Sequence, residues 1–141
     1  MQTIRNYVRA KSLEEAWELN QKKGNEILGG MLWLKMSTTT VQTAIDLSDL
    51  GLNTIEEDDT CFTIGAMVTL RQLEQHASFN AYCDGAFAKA VGDIVGVQFR
   101  NLATVGGSVW GRFGFSDVCS VLLSMDCEVE LFKAGRIPLA T

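Results

Sequence analysis

The stretch ATVGGSVWGRFGFSD, Ala103 to Asp117, sets Gly106, Gly107, Gly111 and Gly114 among Val109, Trp110, Phe113 and Phe115. That is neither an ordinary strand nor an ordinary loop. A chain needs so much bare backbone beside so much apolar surface when something must approach the main chain closely. A second pair, Gly29-Gly30, lies in NEILGGMLWLKM. Both pairs follow an apolar, strand-like approach, and both can point consecutive N–H groups into a concavity that satisfies phosphate oxygens without a charged side chain. One Gly-Gly is weak evidence, because turns use glycine everywhere. Two pairs describe a cleft suited to a ligand carrying a pyrophosphate and a large flat ring.

The flanking patterns predict the scaffold. Ser12 and Glu15 form a capping box, Leu13, Ala16 and Trp17 repeat at helical spacing, and Gly24 supplies the stop, so a helix is expected over 12–23. A strand at Glu26 to Leu28, a glycine turn and the start of a short helix follow, then a strand at Val41 to Leu47. EEDD, Glu56 to Asp59, is expected at a hairpin tip. TCFTIGA is a strand leading to a second capping box, Thr69 to Gln72, and a helix over 70–77 that ends near His76, expected at the surface. Phe87, Ala90, Val91 and Ile94 make an apolar stripe for a helix from Asp84 to Val95. Ser116 is an N-cap with Asp117 in the first turn. CEVELF is a strand, KAGR a turn, and IPLAT a strand barely begun, as expected of a fragment. The pattern changes near residue 55, which predicts two lobes, 1–55 and 56–141, sharing one interface.

Composition removes whole classes. With 141 residues and 47% hydrophobic, the chain buries one modest core. A net charge of −5 with no Lys/Arg run excludes nucleic acid and anionic membrane as partners. The longest apolar run, around ILGGMLWLKM, is too short for a bilayer and contains Lys35, so a cytoplasmic address is expected. Cys61, Cys83, Cys119 and Cys127 are scattered and His76 is the single histidine, so no metal site and no iron–sulfur site is expected from local spacing. Serine-hydrolase, zinc-protease, P-loop and Rossmann signatures are all missing, and no catalytic residue is expected. Taken singly, Trp33, Trp110, Phe113 and Phe115 read as core, Trp110 and Phe113 less so beside their glycines. Arg100 and Arg112 read as surface or partner-facing.

In order along the chain, ILGGMLWLKM, TIGAMVTLRQLE, VQFRNLATVGGSVWGRFGFSD and VLLSMDCEVEL resemble the landmarks of the FAD-binding domain of molybdenum hydroxylases, the family of xanthine dehydrogenase and the medium subunit of carbon monoxide dehydrogenase. The most specific part is QFRNLATVGGSV, which is similar to the family pattern Q-x-R-N-x-A-T-x-G-G-N. The resemblance implies an α+β fold of two lobes, the N-terminal β-α-β lobe with a small parallel sheet and the second with an antiparallel sheet and helices. It also implies that the family's C-terminal α+β domain is absent. FAD, bound non-covalently, would lie extended between the lobes.

Residue by residue, the resemblance places the pyrophosphate at Ile27, Leu28, Gly29, Gly30, Met31, Leu32 and Trp33. It places Asn101, Thr104, Gly106, Gly107 and Ser108 along the flavin and phosphates, Asp117 near the polar part of the cofactor, and Ile94 in contact with it. Met31 and Leu32 stand where the family commonly has hydroxyl or acidic side chains, which leaves only backbone donors at that loop. Ser108 replaces a frequent Asn, and Phe113-Gly114-Phe115 replaces a proline-containing approach to the Ser-Asp pair.

The function implied is that of an oxidoreductase flavoprotein subunit, passing electrons from iron–sulfur clusters through FAD to an acceptor such as NAD. Iron–sulfur and molybdopterin centres would reside on partner subunits of a complex. The alternative is a non-catalytic assembly module of the same fold that has lost FAD. A covalent flavoprotein oxidase is disfavoured, since no His or Cys stands in a glycine loop.

Overall fold

The computed structural model describes residues 2–140. A strand missing from the sequence expectations, β1 (Thr3–Arg9), opens the chain. It lies at a sheet edge with nearly every side chain exposed, so it carries no apolar alternation to betray it. Helix α1 (Leu13–Asn20), β2 (Glu26–Leu28) and β3 (Thr40–Asp46) complete a parallel sheet in the order β1-β3-β2. β3 is central, and its Ala44 and Ile45 are fully buried on opposite faces. Ile45 packs with Ala10, Ala16 and Leu47, and Ala44 with Leu28 and Val41. Ser12 caps α1 through the Glu15 N–H, but the Glu15 carboxylate reaches back to the Lys11 N–H, one residue before the cap.

The second lobe begins with an antiparallel hairpin, β4 (Ile55–Glu57) and β5 (Phe62–Ile64), with EEDD running into its tip as expected. There Asp58 accepts hydrogen bonds from the N–H and hydroxyl of Thr60 and from the Cys61 N–H, which pulls its carboxyl down to about 2. The full capping box at Thr69 and Gln72 starts α2 (Leu70–Glu74). The expected helix over 70–77 ends early, at Glu74, and a separate helix, α3 (Ala77–Tyr82), follows the break, with His76 as its N-cap, Nδ1 accepting from the Phe79 N–H. Asn80 makes the break possible, its amide donating to the carbonyls of Leu73, Glu74 and His76.

The expected helix from Asp84 to Val95 shortens to α4 (Ala86–Val91), because Asp84 and Gly85 both take positive φ before it and Val95 does so after it. Phe87 and Val91 are buried as the stripe predicted. Then come α5 (Val97–Arg100), α6 (Val105–Gly111) and α7 (Asp117–Leu123), the last capped by Ser116 as expected. β6 (Glu128–Leu131) and β7 (Gly135–Pro138) pair at all four positions, so the second strand starts two residues before the expected IPLAT, inside the expected turn. One core joins Val68, Leu73, Phe79, Phe87 and Val118. Among the described residues, no helix is long and apolar enough to cross a membrane. None of their His, Cys, Asp or Glu side chains cluster as metal ligands.

The lobes meet along the segment before α2. Met67 N–H donates across to the Leu52 carbonyl at 2.8 Å, while within the second lobe Gly106 N–H donates to Ala66 at 2.9 Å, Val105 N–H to Val68 at 2.9 Å, and Leu70 N–H to Ala103 at 2.8 Å. Met67 also packs into the cluster of Ala16 and Ile45. This spine ties the segment before α2 to Leu52 on one side and to the α5–α6 region on the other.

Candidate functional site

One glycine of each pair, Gly29 and Gly107, meets the same hydroxyl. Thr104 caps α6, its Oγ1 accepting from the Gly107 N–H at 3.1 Å. A Cβ on Gly29 or on Gly107 would stand 2.9 Å from that oxygen. Gly30 is pressed harder, since a Cβ there would lie 1.9 Å from the Leu102 carbonyl oxygen. The glycines therefore let two stretches of backbone close on each other, and a cleft of about 580 Å³ opens beside them.

The two loops differ in what they offer a ligand. Among the described residues, the N–H groups of Gly29, Gly30, Met31, Leu32 and Trp33 have no internal acceptor. The loop turns through Met31 at φ 62, in the left-handed region, before a short 3₁₀ turn at Leu34–Met36. Consecutive open N–H groups on a loop containing a left-handed residue form a concavity for an anion. The second loop departs from expectation. No strand leads into Gly106-Gly107; α5 and a one-residue bridge between Thr69 and Thr104 do. The N–H of Gly106 is taken by Ala66, that of Gly107 by Thr104, and that of Ser108 by the Thr104 carbonyl at 3.0 Å. The second loop supplies shape and the first supplies donors.

Of the residues expected at a cofactor, Ile27, Gly29, Gly30, Met31, Leu32, Trp33, Ile94, Thr104, Gly107, Ser108 and Asp117 line the cleft. Leu28 does not, its side chain being buried with Val41 and Ala44. Asn101 is exposed as the C-terminal cap of α5, and Gly106 is turned against Ala66. The core expectation for the aromatics is overturned. Trp33, Trp110, Phe113 and Phe115 are all exposed and all line the cleft. Trp33 packs at 5.1 Å on Phe113, which stacks at 5.2 Å on Phe115. The glycines flanking Trp110 and Phe113 were the sequence signal for this.

The expectation of a surface Arg100 is likewise corrected: it is 6% exposed. Its Nε donates to Glu74 at 2.9 Å, and Arg71 reaches the same carboxylate at 3.0 Å. Burial pushes the Glu74 carboxyl up, but the hydrogen bonds from both arginines outweigh it and hold the group below the ordinary glutamate value. Arg112 stays at the surface, 5.5 Å over the Trp110 ring.

No lysine, arginine or histidine among the described residues lines the cleft; its acids are Glu26 and Asp117. A bound anion would be met by main-chain dipoles alone, a flat ring by the aromatic wall, and a ribityl or ribose hydroxyl by the exposed Asp117 carboxylate. On open donors, bare backbone and aromatic lining, the site fits a flavin dinucleotide.

Comparison with known proteins agrees. A family model described as the FAD binding domain in molybdopterin dehydrogenase matches residues 2–140. The uncharacterized protein YgfM of Escherichia coli is 30% identical over 130 residues, 89% of this chain and 49% of that protein. The chain thus spans about half the length of the curated relatives it matches. A carbon monoxide dehydrogenase chain from Hydrogenophaga pseudoflava superposes with a TM-score of 0.87 at 24% identity, over 99% of this chain and 52% of its own. Quinoline 2-oxidoreductase from Pseudomonas putida 86 gives 0.81 at 19%, over 95% and 50%. At such identities these two matches show the fold.

Proposed function

We propose, for a chain that belongs to the family of FAD-binding domains in molybdopterin dehydrogenases, that the cleft between its glycine loops seats FAD for electron transfer within a larger hydroxylase complex. The observation that carries this reading is the run of unpartnered N–H groups from Gly29 to Trp33, opening beside an aromatic wall.

In this reading the N–H groups of the first loop hold the pyrophosphate. Thr104, by capping α6, keeps Gly107 and Ser108 at the distance that admits the cofactor. Trp33, Phe113 and Phe115 exclude water and stack on the ring, and Asp117 accepts from a sugar hydroxyl. FAD, when bound, supplies two-electron chemistry that also accepts single electrons. No side chain of this chain need act as acid or base. Iron–sulfur and molybdopterin centres belong to partner subunits, and NAD is the acceptor class we assign. The four free cysteines fit a cytoplasmic, reducing setting. In this reading the lobes are 1–55 and 56–141, with the cleft between them.

The cleft lacks a basic side chain, and this favours one rival reading, a flavin-free assembly module. Titration of the purified chain with FAD decides between them. Quenching of flavin and of tryptophan fluorescence at one FAD per chain is the expected result, and a colourless protein that takes up no added FAD supports the module.

A further inference from the structure

Part of the rim of the cleft is the turn at Ile94 and Val95, both of which line it. That turn is an unfavourable one. Val95 is β-branched, sits at φ 51 and is 81% exposed, so neither its own conformational preference nor burial of its side chain holds it there. Ile94 is tied locally by its N–H to the Val91 carbonyl at 2.9 Å. The carbonyl of Ile94 is held from elsewhere: Arg100 Nη1 donates to it at 3.1 Å. The same guanidinium bonds the two oxygens of Glu74, through Nε at 2.9 Å and Nη2 at 3.4 Å. Glu74 ends α2, so its carboxylate is anchored on the second-lobe core and is steadied by Arg71 as well.

We infer that Arg100 is a positioning residue of the cofactor cleft, a buried fork that takes its orientation from Glu74 and uses its remaining arm to fix the Ile94 carbonyl, and through it the strained rim formed by Ile94 and Val95. The inference rests on the reading of the cleft as the FAD site. A structural ion pair would need only the two bonds to Glu74. The third bond is what a planar, multi-donor guanidinium adds and a lysine ammonium, as a point charge on a flexible stem, does not. Arg100 does not itself line the cleft; it acts through the main chain of the rim.

The test uses the whole chain and two readouts: FAD affinity with the visible circular dichroism of bound flavin, and hydrogen exchange of the 94–97 amides without FAD. R100K keeps the charge for Glu74 and gives up the bond to Ile94. It should bind FAD about tenfold more weakly, as expected for loss of one charge-assisted hydrogen bond. Its flavin dichroism should change and its rim exchange faster. V95G leaves the ion pair intact and frees the rim; it should lose affinity without losing thermal stability, which keeps the inference testable even if R100K folds poorly. R136Q, which breaks an exposed pair on the distant hairpin, should bind as the wild type does. Wild-type affinity and dichroism in both R100K and V95G, with unchanged rim exchange, overturn the inference and leave Arg100 a structural pair. Failure of the wild-type chain to bind FAD instead refutes the reading of the cleft.

Discussion

A methyl group at Gly30 and one at Gly107 meet obstacles of different kinds, and that decides what each substitution costs. At Gly30 the obstacle is main chain, the Leu102 carbonyl at 1.9 Å, which moves only if the two lobes part. Gly30→Ala should therefore cost about 3 kcal/mol or more, at the upper end for strain and overpacking, read as a lowered urea midpoint. At Gly107 the obstacle is the Thr104 hydroxyl at 2.9 Å, which can rotate away. Losing that cap costs about 1 kcal/mol, and alanine in a helix regains about as much over glycine, so Gly107→Ala should leave stability nearly unchanged. Gly107→Val adds a branch toward the cleft and should abolish FAD retention; unchanged flavin content in that variant would remove this loop from the site. The glycines stood out in the sequence because two pairs of them, each with aromatics nearby, are more than turns alone require. Which way neighbouring residues face was not, since chain order alone does not tell that Leu28 alternates inward on β2 or that Gly106 turns to Ala66. Arg100 was misplaced because a lone arginine in sequence shows no sign of the carboxylate that lets it be buried.

Elements with their own punctuation were read closely and those without it were not. Ser116, Thr69 with Gln72, and Ser12 each announced a helix start that the structure contains. β1 went unseen because an edge strand exposed on both faces has no alternation, and α6 because two glycines and a tryptophan disguise a helix whose stability comes from the Thr104 cap and tertiary packing. The break between α2 and α3 depends on one amide. Asn80 donates to three carbonyls and its Oδ1 accepts from the Ala88 N–H at 3.1 Å, joining α3 to α4. Asn80→Ala should destabilise the protein by about 2–3 kcal/mol, because half-buried carbonyls lose their donor, with the loss visible as a lower thermal midpoint. At the other end of the chain, Lys133 in the β6–β7 turn pairs with Glu14 and lies 3.9 Å over the Trp17 ring. Both partners are on α1, so this hairpin is pinned to the first lobe by exposed contacts that should weaken with salt.

For the molecule as a whole, acid and ligand act on stability in opposite directions. Burial pushes the Asp46 carboxyl up, but hydrogen bonds from Ser48 and Tyr7 hold it below its ordinary value, as the arginines do for Glu74. A carboxyl lowered in the fold binds more protons when unfolded, so its stabilisation is full above the ordinary carboxylate range and is lost as pH falls through the folded value. The urea midpoint should be flat from about pH 5 to about pH 7 and decline on the acid side, and Glu74→Gln should shallow that decline. The change of pattern near residue 55 was legible, with the parallel sheet before it and the antiparallel hairpins after it, but not the spine of main-chain bonds from residues 65–70 to Leu52 and the α5–α6 region, which has no sequence signature. FAD in the cleft would bridge that spine, meeting donors from the first lobe and aromatic side chains from both. A ligand that binds only the folded state adds about 2.7 kcal/mol at a hundredfold excess over Kd. For a chain of this length that is a rise in thermal midpoint of about 10 °C. FMN presents the same ring without the pyrophosphate bridge and the adenosine half. If the first-loop N–H groups are the anion site, FMN should give a clearly smaller shift than FAD, whereas equal shifts would move recognition to the aromatic wall and away from Gly29 to Trp33.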